Sequence, residues 1–201
     1  MNTPKNILLL GDRVRYSTDS GYGYGIFVMD ELAGEAYVYS PKEDCRSAAY
    51  TLRNLHWWAQ ELHIEPEEID VVHWNNGLWD VERIMGDQPI TPIGVYADTL
   101  RRIHARIRAL FPNAKVIFAA TTPVIEQNSG SVLYFNADIE AYNSAARKAL
   151  EPLGVAFNDL YAAAKDFDVF CYRTGELFSE QGSRLLGRAV AEAIRACING
   201  T

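Results

Sequence analysis

The length, composition and charge of the chain exclude several classes of protein. At 201 residues, with 48% hydrophobic and 22% charged residues, the sequence is that of an ordinary folded protein, not of a disordered chain or a disulfide scaffold. Its formal net charge of −7 argues against nucleic-acid binding, which requires a basic face. No stretch rich in Pro, Gly or Ser divides the sequence, so residues 1–201 are predicted to form a single domain.

The cysteines and the short apolar runs bear on where the protein resides. Cys45, Cys171 and Cys197 are odd in number and lack the spacing of a zinc site or a disulfide framework. The first apolar run, Asn6 to Leu10, is too short for the core of a signal peptide, and no stretch approaches the length of a membrane span. We therefore expect a cytoplasmic protein with reduced thiols, no metal, no cofactor and no membrane contact.

Short apolar runs alternate with amphipathic segments along the chain. The runs that predict buried strands are 7–10, 36–39, 69–74, 115–120 and 155–158. Apolar residues that recur every three or four positions predict helices over 47–62, 91–110, 136–150 and 179–199. Thr91 and Ser179 are the predicted N-caps of the second and fourth helices. The alternation predicts a three-layer α/β fold with a doubly wound parallel sheet of about five strands.

Polar blocks follow the predicted strands at their carboxyl ends, where open α/β sheets bind ligands. The blocks after the first three strands are Gly11-Asp12-Arg13-Val14-Arg15, Glu43-Asp44-Cys45-Arg46-Ser47 and Asn75-Asn76-Gly77-Leu78-Trp79-Asp80. Those near the last two strands are Thr121-Thr122-Pro123-Val124 and Asn158-Asp159-Leu160-Tyr161. In order and spacing these blocks resemble the SGNH (GDSL-type) ester hydrolases over nearly the whole chain. A bacterial branch of that family carries a segment similar to HWNNGLWD, which here spans residues 73–80.

The resemblance implies a catalytic arrangement whose residues are replaced in this chain. In the family, a serine after Gly-Asp attacks the ester carbonyl, a glycine and an asparagine stabilise the oxyanion, and a late Asp-x-x-His supplies the base and its orienting acid. Arg13 stands at the serine position, and a guanidinium stays protonated and cannot attack a carbonyl. The glycine position falls near Arg46 and the asparagine position on Trp79. The late block reads Thr174-Gly175-Glu176-Leu177, with threonine for the acid and leucine for the histidine.

Because triad members act as a unit, these replacements imply a family member without family-type ester hydrolysis. Three residues are candidates for a rearranged catalytic site. Ser20 lies in residues 16–23, a stretch that the resemblance implies is an insertion relative to the family. Cys45 adjoins Arg46, a cation that can lower the pKa of a thiol, and His73 is near a strand end. A rim loop, a buried inert thiol and an interior histidine are the simpler interpretations of these residues.

A second hypothesis concerns the arginines at the strand ends. If Arg13, Arg15 and Arg46 converge, they form a pocket suited to carboxylate, phosphate or sulfate. The full set of predicted ligand-binding residues is Asp12, Arg13, Arg15, Arg46, Asn75, Asn76, Trp79 and Asp80, with the two asparagines as neutral hydrogen-bond partners. The opposing hypothesis is that Arg13 pairs with Asp80 or Asp12 and plugs the pocket.

Three functions follow from these hypotheses. The leading interpretation is a noncatalytic SGNH-like domain that binds a small anionic or sugar-derived ligand, or serves a partner protein. Trp57, Trp58, Trp74 and Trp79 are compatible with a carbohydrate site, although core packing is the commoner use of tryptophan. The first alternative is an esterase or deacetylase that acts on carbohydrate or lipid esters through rearranged residues. The second is a structural or oligomerisation module with a plugged site, which leaves a homo-oligomer open.

Overall fold

A parallel sheet forms the centre of the molecule in the computed structural model, which describes residues 3–18, 21–127 and 129–200. Within these ranges the strands are β1 (Lys5–Leu10), β2 (Ala36–Tyr39), β3 (Val71–Asn75), β4 (Arg83–Ile84), β5 (Lys115–Ala119), β6 (Val132–Leu133) and β7 (Ala156–Asn158). The main sheet has the order β2-β1-β3-β5-β7, and all its neighbouring strands are parallel. Strands β4 and β6 pair separately in antiparallel fashion, Ile84 opposite Val132.

Helices cover the sheet in two groups. They are α1 (Tyr24–Glu31), α2 (Ala48–Glu61), α3 (Ile93–Leu110), α4 (Asn136–Leu150), α5 (Leu160–Ala164) and α6 (Glu180–Asn199) over the described ranges. Helices α1 and α5 pack against α6, which also contacts β3, β5 and β7, whereas α2, α3 and α4 pack side by side. None of these helices combines the length and apolar character needed to cross a lipid bilayer.

Burial and capping explain why the predicted elements form. In α2, Leu52, Leu55 and Ala59 are buried, as their spacing requires, and Ser47 accepts a hydrogen bond from the Tyr50 amide at the N-terminus. Ser179 caps α6 in the same way, and that helix ends at the left-handed Gly200. The predicted α/β fold with its five-stranded parallel sheet is therefore confirmed.

Some elements differ from the prediction. Pro92, not Thr91, occupies the N-cap position of α3, because Thr91 is bound elsewhere: its amide donates to the Asp80 carbonyl and its carbonyl accepts from Tyr142 Oη. Helices α1 and α5 and the β4–β6 pair were not predicted. Helix α1 has eight residues, α5 has five, and β4 and β6 have two each, too few to display a helical or strand periodicity.

Gly77 occupies a position that a side chain does not fit. Its φ is +151°, and a Cβ placed on it would lie 2.1 Å from Thr121 Oγ1. We expect Gly77→Ala to lower the free energy of unfolding by about 2 kcal/mol, as overpacking does, in urea denaturation. The control is Gly94→Ala in the first turn of α3, where a Cβ has nothing within 4 Å. Equal losses in both variants would show that the contact at Thr121 is not responsible.

Candidate functional site

A cleft of about 640 Å³ opens beyond the carboxyl end of β1, and we call it the Arg13 cleft. It is lined by Arg13, Trp79 and Glu82, by residues 130–134 and 174–176, and by Ile125 and Gln127. The walls come from loops that follow β1 and β3, from the β6 region and from the segment before α6. Its volume is within the range of about 300–1,000 Å³ that is usual for small-molecule sites.

Arg13 is held in this cleft by carboxylates that the sequence analysis did not single out. Arg13 Nη2 lies 2.5 Å from Glu82 Oε1, and Nη1 lies 3.7 Å from Glu176 Oε1. Tyr134 Oη donates to the same Glu82 oxygen at 2.6 Å. Burial and the neighbouring Glu82 raise the pKa of Tyr134, which keeps its hydroxyl protonated as a donor. Glu82 is thus the centre of a compact network with only 7% of its side chain exposed.

The ion pair with Glu82 corrects the predicted pairing of Arg13. Asp12 instead accepts a hydrogen bond from the Val14 amide, and Asp80 accepts one from the Ala48 amide, so the prediction that either carboxylate pairs with Arg13 is wrong. Both aspartates are buried and brace the loops around them. The guanidinium packs on Trp79 as well, with its carbon 4.0 Å from the ring centroid.

Arg15 and Arg46 do not join Arg13, so the predicted convergence of three arginines is wrong. Arg15 is only 4% exposed and donates to the carbonyls of Gly11, Pro41 and Glu43. These buried carbonyls need donors, and the guanidinium supplies several at once. Arg46 is exposed, and its guanidinium carbon lies 4.6 Å from the ring centroid of Tyr50 on α2. Neither side chain lines the Arg13 cleft.

The two asparagines predicted as ligand partners are committed to protein groups. Asn75 Nδ2 donates to the Ala119 carbonyl on the neighbouring strand β5. Asn76 Nδ2 donates to the Arg46 carbonyl and to Thr51 Oγ1, and its Oδ1 accepts from Trp74 Nε1. Both amides are buried and lie outside the Arg13 cleft, so they fix loops and do not contact a ligand there.

The tryptophans serve mainly as packing groups. Trp58 and Trp74 are buried, and Trp57 lies exposed on α2. Trp79 alone of the four lines the Arg13 cleft, where one face of its ring carries the Arg13 guanidinium. Its Nε1 donates to Asp44 Oδ2 at 3.2 Å. Trp79 thus lines the cleft, and the ring face covered by Arg13 is not available for stacking on a ligand.

Comparisons with known proteins show which proteins the chain resembles. No family model matches the chain. A GDSL esterase/lipase of Arabidopsis thaliana is 24% identical over 118 residues, which cover 53% of this chain and 46% of the relative. The chain therefore spans about half the length of that relative.

Solved structures resemble the chain over nearly its whole length. A lipase/acylhydrolase from Enterococcus faecalis has a TM-score of 0.73 at 18% identity and covers 96% of each chain. A carbohydrate esterase family 3 protein from Talaromyces cellulolyticus has a TM-score of 0.71 at 19% identity, over 98% of this chain and 99% of the other. A carbohydrate acetylesterase family member from Sinorhizobium meliloti has a TM-score of 0.74 at 16% identity, over 97% and 99%.

The chain has the SGNH/GDSL hydrolase fold. The resemblance found in the sequence is thus confirmed, and at these identities the likeness to the solved structures is one of fold. In this SGNH fold, Arg13 follows β1 at the position where the family's serine is expected, and its side chain points into the cleft.

The late block of the SGNH fold forms a tight loop without an acid–base pair. The Arg173 and Thr174 amides both donate to the Leu177 carbonyl, and Thr174 Oγ1 donates to Glu176 Oε2 at 3.1 Å. Leu177 packs against the hydrophobic core. Glu176, and not the residue at the histidine position, is the titratable group that this loop presents to the cleft.

Two of the three candidate substitutes for the triad are inaccessible. Cys45 is fully buried, its Sγ accepts from the Gly11 amide at 3.4 Å, and burial raises its pKa, so the thiol stays protonated. His73 is fully buried in β3, its Nε2 lies 3.2 Å from Asn158 Nδ2, and burial lowers its pKa to about 3. The hypothesis that these two act as nucleophile and base is wrong because neither reaches the cleft. Ser20 lies outside the described residues.

Asp12 makes the stability of the protein depend on pH. Burial, with a smaller contribution from Asp44, raises its pKa to about 7, whereas an exposed aspartate has a pKa of about 4. Between these values the folded protein keeps a proton that the unfolded chain releases, so this group's effect on stability becomes more unfavourable as pH rises from about 4 to 7.

Asp12→Asn removes this titration and keeps an oxygen for the Val14 amide. We expect the free energy of unfolding of Asp12→Asn, measured relative to the wild type by urea denaturation, to increase steadily between about pH 4 and pH 7. Asp98→Asn, at an exposed position on α3, is the control and should show no such trend. A difference that stays constant with pH would contradict the assignment to Asp12.

Proposed function

We propose that this SGNH-fold protein binds a sugar-derived ligand in the Arg13 cleft and does not hydrolyse esters by the family's serine–histidine route. The observation that carries the proposal is the state of Arg13. Its guanidinium occupies the nucleophile position and is fixed 2.5 Å from Glu82, while about 640 Å³ of the cleft stays open beside it. A guanidinium cannot form an acyl intermediate, and an open cleft does not fit a module whose site is plugged.

The cleft favours a hydroxyl-bearing ligand over an anion. The positive charge of Arg13 is opposed by two carboxylates, Glu82 and Glu176, so an anion would meet repulsion as well as attraction. Gln127, Ser131 and other neutral polar groups of the walls can exchange hydrogen bonds with hydroxyls. Two of the structural neighbours are described as carbohydrate esterases, which supports a carbohydrate as the ligand class.

The location proposed for this activity is the cytoplasm. Cys45, Cys171 and Cys197 are all unpaired, which is usual for proteins of reducing compartments and supports this location.

Titration with neutral saccharides tests the proposed function. We expect D-glucose, N-acetyl-D-glucosamine or xylobiose at millimolar concentration to shift the backbone amide resonances of Trp79, Ser131 and Gly175 in a ¹H–¹⁵N spectrum. Ser131→Trp, which fills the exposed wall of the cleft, should abolish these shifts. Ser129→Trp is the matched control, exposed two residues away and outside the lining. Shifts that persist in Ser131→Trp would place the ligand elsewhere, and no shift with any of the three sugars would contradict the proposal.

A further inference from the structure

The Arg13 cleft carries one negative charge more than its arginine neutralises. Its charged lining groups, among the described residues, are Arg13, Glu82 and Glu176. Glu82 is the close partner of Arg13 at 2.5 Å and is shielded, with 7% of its side chain exposed. Glu176 Oε1 lies 3.7 Å from Arg13, beyond hydrogen-bond distance, and 21% of its side chain is exposed. Glu176 is therefore the more exposed of the two carboxylates and contributes the excess charge.

The loop that carries Glu176 is hydrogen-bonded to the neighbouring segment around Ile125. The Ile125 amide donates to the Gly175 carbonyl at 2.7 Å. A Cβ on Gly175 would lie 2.8 Å from the Ile125 carbonyl oxygen, so glycine permits this close approach. Residues Tyr172 and Phe178 pair across the base of the loop, and Thr174 Oγ1 donates to Glu176 Oε2. The carboxylate is thus positioned before any ligand arrives, which limits the entropy lost on binding.

From this geometry we infer that the ligand of the Arg13 cleft carries a protonated amine, as a 2-amino sugar does, and that Glu176 binds the ammonium group. The inference rests on the proposed function, since it names the class of sugar for the same cleft. An ammonium group has one positive charge and three hydrogen-bond donors. It can therefore pair with the Glu176 carboxylate, which is partly exposed and has only the 3.7 Å ion pair with Arg13. The hydroxyls of the sugar then lie toward the neutral polar wall formed by Gln127 and Ser131. The net charge of −7 of the whole chain also favours the approach of a cation.

Calorimetric titration with three related sugars tests the inference. At about pH 6, where the amine is protonated, D-glucosamine should bind at least about tenfold more tightly than D-glucose or N-acetyl-D-glucosamine. Glu176→Gln keeps an oxygen for Thr174 and removes the charge, and it should reduce this preference to less than about twofold. The matched control is Glu180→Gln, an exposed carboxylate in the first turn of α6 that pairs with Arg184, and it should leave the preference intact.

The outcomes separate this inference from the proposed function. Equal affinity of the wild type for all three sugars, or a preference that survives in Glu176→Gln, overturns the amine assignment and leaves neutral sugar binding in place. Loss of the preference in Glu180→Gln also overturns it, because the effect would then not belong to Glu176. If none of the three sugars binds, the inference is wrong, and the proposed function is wrong as well if xylobiose causes no resonance shifts.

Discussion

Replacing Glu82 with alanine should lower the free energy of unfolding by about 3 kcal/mol, because the change leaves a largely buried guanidinium without its close partner. Tyr134 Oη loses its acceptor at the same time. The second carboxylate, Glu176, is too far away at 3.7 Å to compensate fully. Urea denaturation at neutral pH measures the effect.

A double-mutant cycle isolates the ion pair from other effects of the substitution. Adding Arg13→Ala to Glu82→Ala removes the stranded charge, so the double variant should be more stable than Glu82→Ala alone. Glu180→Ala, which removes an exposed carboxylate paired with Arg184, should change stability by less than about 1 kcal/mol. A Glu82→Ala variant as stable as the Glu180→Ala control would contradict the role assigned to the pair.

Arg15→Lys should be almost as destabilising, by about 2–3 kcal/mol, although it preserves the charge. The guanidinium binds the carbonyls of Gly11, Pro41 and Glu43 at once, and a lysine ammonium cannot reach three groups in that planar arrangement. Buried carbonyls would lose their donors. Thermal or urea denaturation of the variant gives the measurement.

Arg46→Lys is the matched control for this substitution. Arg46 is exposed and contacts the ring of Tyr50, so its replacement should cost less than about 1 kcal/mol. Similar losses for Arg15→Lys and Arg46→Lys would show that Arg15 is not the structural clamp described above. Such a result would reopen its predicted role as a ligand-binding residue.

The fold could be predicted from the sequence because its signals are local. The apolar run at 36–39 matches β2 in full, and the periodic segment 136–150 matches α4 in full. Ser47 and Ser179 mark helix starts through hydrogen bonds to amides only a few residues away. These features depend on residues that are close in sequence, so they can be recognised without knowledge of the tertiary structure.

The site could be predicted only in part because its partners are distant in sequence. Of the predicted ligand-binding residues, Arg13 and Trp79 line the cleft. Glu82, the close partner of Arg13, was missed, although it stands two residues after the 73–80 segment. Tyr134, which donates to the same Glu82 oxygen, lies 52 positions further along. No pattern in one sequence shows that a hydroxyl so far away shares a carboxylate oxygen with an arginine.

Arg15 illustrates the second reason for the errors at the site. An arginine beside a strand end is equally suited to an anion and to backbone carbonyls. Which of these it meets depends on how the segment around Pro41 and Glu43 turns over the sheet, and that turn is a property of the tertiary structure. The partner of Asn76 also depends on the tertiary structure, because its side-chain amide donates to Thr51 Oγ1 on α2.

We propose that a protein with Arg13 in place of the family's serine binds a ligand and does not hydrolyse esters by the family's route. The most direct test is the rate of p-nitrophenyl acetate hydrolysis as a function of substrate and protein concentration. We expect no saturable turnover above the uncatalysed rate, for the wild type and for Arg13→Ala alike, because the described residues that line the cleft include no serine–histidine pair. Saturable turnover that scales with the wild-type concentration and disappears in the cleft-filling Ser131→Trp variant would contradict the claim.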